Sequence, residues 1–111
     1  MTDDLAELAR RAADVREGFA EFERSTYGSE WSIQELLLGL VVDVGDLIGA
    51  VQRVEGRRPS SDGSADRSAL EHELADCLWV LLVVAQRYDV DLGAVFGRTM
   101  DQLEDWLARA D

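Results

Sequence analysis

Lysine is absent from this chain. All eleven basic residues are Arg, which excludes Schiff-base chemistry on a side-chain amine. Cysteine occurs once, as Cys77, so neither an internal disulfide nor a Cys-built zinc site is available, and a lone thiol fits a reducing compartment. Positive charge is scarce: 11 basic against 23 acidic side chains give a formal charge of -12. Nucleic-acid polymers and anionic membrane surfaces need a basic patch to displace counterions, so neither is an expected partner. Long apolar runs are missing too. The most apolar stretches, 36–51 and 77–85, are shorter than the about 20 residues of a membrane span. The opening Met1-Thr2-Asp3-Asp4 is acidic where a secretory signal is basic, and a cytoplasmic protein is expected.

Apolar residues at helical spacing are abundant. They make up 47% of 111 residues, too many for a disordered acidic tail and enough for one domain, 1–111, with its own core. Leu5, Leu8, Ala12, Val15, Phe19 and Phe22 recur at intervals of three and four, which predicts an amphipathic first helix ending near Ser25. Ser32-Ile33-Gln34-Glu35 is a capping box that opens a second helix, from about Ile33 to Glu55. The Gly/Ser-rich stretch 56–67 holds the sole proline, Pro59, and reads as a mobile loop. A second capping box, Ser68-Ala69-Leu70-Glu71, predicts the start of helix three, and Asp91 the N-cap of helix four.

Four helices with mostly short connections predict an all-α, antiparallel four-helix bundle. The middle two are apolar over more than one stripe, around Leu36 to Leu40 and Leu78 to Ala85. Four helices of this length cannot cover both, so a homodimer or homotetramer is expected.

Most acidic residues fall on polar helix faces and need only solvent. Asp43 and Asp46 interrupt the run Leu36 to Val51, whose other fourteen residues are apolar or Gly. Spaced i and i+3, they project from one face. Glu73 and Asp76 repeat the device on the third helix. Burying an ionised carboxylate costs several kcal/mol, and four together repel one another. Arg53 and Arg87 lie near the far ends of these helices, whereas an oxygen-only donor set suits a hard divalent ion such as Mg²⁺ or Mn²⁺. The alternative is two surface pairs on helices with narrow polar faces.

The run Val42-Asp43-Val44-Gly45-Asp46-Leu47, with 26 residues between Asp46 and the start of Glu73-Leu74-Ala75-Asp76, resembles the MazG-like all-α nucleoside triphosphate pyrophosphohydrolases, whose signature is Glu-Glu-x-x-Glu followed after such a gap by Glu-x-x-Asp. Glu30-Trp31, Asp91-Leu92 and Met100-Asp101 fit the same pattern. The resemblance implies that Asp43, Asp46, Glu73 and Asp76 hold Mg²⁺ while water attacks the α-phosphorus of a nucleoside triphosphate, giving the monophosphate and pyrophosphate. Val42 stands where the family has its first Glu, and Asp43 and Asp46 are each one methylene shorter than Glu. Thr99 and Leu103 replace a Lys and an Asn of the last helix, with Arg98 a substitute phosphate contact. A catalytically degenerate module for oligomerisation or regulation is the alternative these departures leave open.

Trp31 has two readings: a platform for the substrate base beside the metal site, or packing at the corner between the first two helices. His72 precedes Glu73 in an arrangement similar to a zinc-binding His-Glu-x-x-His helix, but lacks the second His and reads as a surface residue. Trp79 and Trp106 are expected in core or interface, and Cys77 as a small buried hydrophobe. Arg53, Arg57 and Arg58 are either phosphate contacts or a solvated cluster.

Overall fold

The computed structural model describes residues 4–60 and 62–110. It is built from four helices, α1 (Leu5–Tyr27), α2 (Ile33–Val54), α3 (Gly63–Arg87) and α4 (Leu92–Arg109), with no strand among the described residues. Local chemistry sets most boundaries. Asp4 Oδ1 accepts the Glu7 N–H at the start of α1, and Gly28 closes it at φ 89°, a left-handed conformation that glycine adopts without a Cβ clash. The Ser32–Glu35 capping box forms in both directions, and Asp91 caps α4 through the Ala94 N–H.

Two boundaries differ from the sequence reading. α1 continues through Ser25 and Thr26 to Tyr27, because Gly28 is the first residue suited to leave the helix. α3 begins at Gly63, capped by Asp62 through the Ser64 and Ala65 N–H groups, and Ser68 lies inside it. The earlier start is held by a tertiary contact that no local pattern encodes: Asp66, in the first turn, meets Arg53 Nε of α2 at 3.3 Å and accepts from Ser60 Oγ.

α2 and α3 form an antiparallel hairpin in one continuous register. Leu36 and Val83 pack in the core, Asp43 and Asp76 line one pocket, Asp46 approaches Glu73, and Arg53 pairs with Asp66. Each step forward on α2 is matched by the same step back on α3. α1 packs along α3, where Trp79 Nε1 donates to Ala12 O at 3.2 Å. The core gathers Ala12, Leu36, Leu82 and Val83.

The link from α1 to α2 is pinned by a buried carboxylate. Glu23 takes both Arg16 Nη1 (3.1 Å) and Nη2 (3.0 Å) and also accepts the Trp31 backbone N–H at 2.8 Å. Bidentate, charge-assisted bonds of this kind fix direction as well as distance.

α4 stands off from this body. Leu92 packs against the core and Gly93 sits beside Leu5, but no residue of α4 is buried. The chain accordingly spans 57 × 42 × 31 Å with a radius of gyration of 17.3 Å, against about 13 Å for a compact domain of this length. Phe96, Leu103, Trp106 and Leu107 of α4 are exposed, as are Leu38, Val41, Val42 and Ile48 of α2. No helix among the described residues is long and apolar enough to cross a membrane.

Candidate metal and nucleotide site

Spacing on each helix and register between them bring the acids of the middle helices face to face. Single carboxylate oxygens of Asp43, Asp46 and Glu73 lie within 4.8 Å of one another. Glu73 also joins His72 and Asp76 in a second group of the same tightness, in which His72 Nε2 stands 3.0 Å from Asp76 Oδ2. Glu73 Oε2 is sealed from solvent and makes no hydrogen bond.

Electrostatics at the cluster are unfavourable without a counter-charge. Burial pushes the Asp43 carboxyl above its ordinary range, and the charges of Asp76 and Asp46 push it further, with His72 opposing. Burial and then the same acids, Asp43, Glu73 and Asp76, raise the Cys77 thiol. Cys77 is half-buried, less enclosed than the sequence suggests, and its raised thiol keeps it largely protonated and a poor nucleophile at neutral pH. No Arg ion pair reaches the four acids among the described residues: Arg53 is engaged with Asp66, while Arg16 and Arg24 are engaged with glutamates of α1 and its exit. A buried oxygen without a donor, beside carboxylates that repel each other, is a set of residues that fits a divalent cation.

Two of the acids, Asp43 and Asp76, open onto a pocket of about 480 Å³ that Val15, Phe19, Ala75 and Trp79 also line. Phe19 and Trp79 meet edge to face, with centroids 6.0 Å apart and planes at 66°. Sequence reasoning placed Trp79 in core or interface and did not single out Phe19 for the site. Only the α1–α3 packing places both beside Asp43 and Asp76, and no local signal marks it.

The remaining candidates lie elsewhere in the single chain. Trp31 packs against Gly39, one turn before Asp43, and lines a separate pocket of about 330 Å³ with Arg16 and Arg87. Arg98 is exposed on α4, whose packing with the body is confined mainly to α1, so the fold does not bring it to the acids. Thr99 turns its hydroxyl back to Val95 O of its own helix at 2.9 Å. Val42 points outward at 62% exposure. Arg58 lies beside Gly49 with Arg53, at the end of the hairpin away from its entry.

Residues 31–105 match the family model of the MazG nucleotide pyrophosphohydrolase domain. The match takes in α2, α3, all four facing acids and most of α4. No curated protein and no solved structure matches the chain. The facing acid pairs and the family match over most of the sequence lead to one conclusion: the chain belongs to the MazG nucleotide pyrophosphohydrolase domain family.

Proposed function

We propose that the protein is a Mg²⁺-dependent nucleoside triphosphate pyrophosphohydrolase, with Mn²⁺ an alternative ion, converting an NTP or dNTP to the monophosphate and pyrophosphate. The observation that carries this reading is the meeting of Asp43 and Asp46 with Glu73 across the α2–α3 hairpin, around a buried Glu73 oxygen that has no protein donor. Asp43, Asp46, Glu73 and Asp76 would hold the ions, which supply positive charge to the phosphates and lower the pKa of water. The four side chains fix where that charge sits, so a polyanionic substrate is attracted to a place that would otherwise repel it. Phe19 and Trp79 give the neighbouring pocket an apolar wall suited to the flat face of a base. Trp31 and Arg98, apart from the acids in one chain, serve as substrate contacts where assembly brings them to the site.

The assembly that fits the exposed apolar faces of α2 and α4 is a homodimer or homotetramer. Covering those faces is worth roughly 25 cal/mol per Å² of apolar surface removed from water.

A second reading, a MazG-like module that binds without catalysing, is favoured by Val42 in place of a carboxylate and by Thr99 being occupied with Val95 O. The two are separated by incubating the protein with the common NTPs and dNTPs plus Mg²⁺ or Mn²⁺ and measuring pyrophosphate. Release well above an Asp76→Ala control supports the enzyme; none above that control across the panel leaves the module.

A further inference from the structure

His72 is the only histidine in the chain, and nothing in the proposed reaction uses it. Its side chain is 70% exposed, yet the ring is not turned away into solvent. One imidazole nitrogen, one Glu73 oxygen and one Asp76 oxygen lie within 4.8 Å of one another, a spacing that side-chain rotation closes to the separations three ligands of one ion adopt. His72 and Asp76 stand i and i+4, stacked one turn apart on α3. Asp43, Asp46 and Glu73 form a second triad of the same tightness, drawn from both helices. Glu73 belongs to both triads, and its Oε2 is buried without a partner. A carboxylate with one oxygen free and donor groups on either side is suited to bridging two ions.

We propose that the site has two unlike cation positions sharing Glu73: an all-oxygen position at Asp43, Asp46 and Glu73, and a nitrogen-containing position at His72, Glu73 and Asp76 that takes Mn²⁺ in preference to Mg²⁺. Imidazole suits first-row transition ions, whereas Mg²⁺ keeps to oxygen donors and retains much of its water. The inference rests on the pyrophosphohydrolase reading for the presence of a metal at these acids and adds the role of His72.

The test is Mn²⁺ titration of the full chain, read by pulsed EPR for ¹⁴N coupling alongside the number of ions bound. The native protein is expected to bind two Mn²⁺, one of them with a nitrogen coupling. His72→Gln is expected to lose that coupling and one ion while keeping the other, with an unchanged circular dichroism spectrum, since His72 is exposed. Mn²⁺ bound by oxygen alone, identically in both proteins, overturns this inference and leaves the pyrophosphohydrolase reading intact. A native chain that binds no Mn²⁺ overturns both.

Discussion

Arg53 Nε on α2 stands 3.3 Å from Asp66 Oδ1 on α3, closing the end of the hairpin whose middle carries the facing acids. The pair sets the register that aligns Asp43 with Asp76 and Asp46 with Glu73. Asp66→Ala leaves Arg53 and Ser60 without their acceptor. The expected cost is about 1–3 kcal/mol, the usual range when a partly buried group loses its partner, read as a lower urea midpoint. Cation affinity should fall in parallel as the hairpin end loosens.

Glu23 sets a pH dependence. The Arg16 guanidinium, bonded to its carboxylate, and then the Trp31 N–H hold its pKa below the ordinary value of 4.5. A carboxyl lowered on folding contributes stability that is fully present above the unfolded pKa and is lost as pH falls through the folded one. Glu23→Gln should therefore be less stable than the native chain at neutral pH, with the gap closing as the medium is acidified below about pH 4. Urea unfolding at a series of pH values measures both limbs.

Asp43 has the opposite sign. Burial and its acidic neighbours raise its carboxyl, so the metal-free fold is penalised at neutral pH and relieved as pH falls toward the raised value. Asp43→Asn should melt higher than the native chain without divalent ions. Adding Mg²⁺ at a hundredfold excess over its dissociation constant stabilises a native site by about 2.7 kcal/mol. In Asp43→Asn that increment should shrink, and chelation should remove it from the native chain. Thermal melts with and without ion decide the matter.

The apolar face of α4 predicts assembly. Phe96 and Trp106 are each more than half exposed on a helix with no fully buried residue. Sedimentation equilibrium is expected to give two or four times the 12.3 kDa of one chain. Phe96→Glu with Trp106→Glu should shift the protein toward the monomer while helicity persists.

Features governed by neighbours in sequence are legible in the sequence itself. The Ser32–Glu35 box, the Asp91 cap and the paired acids at i and i+3 all follow from local chemistry. The meeting of the two acid pairs was foreseeable because both interrupt apolar runs that had to face a core. What depends on register between distant segments was hidden. Asp62 displaces Ser68 as the cap of α3 because Arg53 reaches Asp66. Glu23, one of many acids on α1, becomes a clamp only because Arg16 and the Trp31 N–H converge on it. Phe19 and Trp79 reach Asp43 and Asp76 through the lie of α1 on α3, whereas His72 reads as a surface residue and is one, its side chain 70% exposed. The stand-off of α4 was concealed because its apolar stripe is the same whether its partner is this chain or another.

The most direct test of the central claim is turnover of a nucleoside triphosphate in ¹⁸O-labelled water with Mg²⁺, followed by mass spectrometry of both products. Attack at the α-phosphorus places the label in the monophosphate and leaves pyrophosphate unlabelled, which is the predicted result. Label in pyrophosphate or inorganic phosphate, or no turnover beyond Asp76→Ala with any common NTP or dNTP, would contradict it.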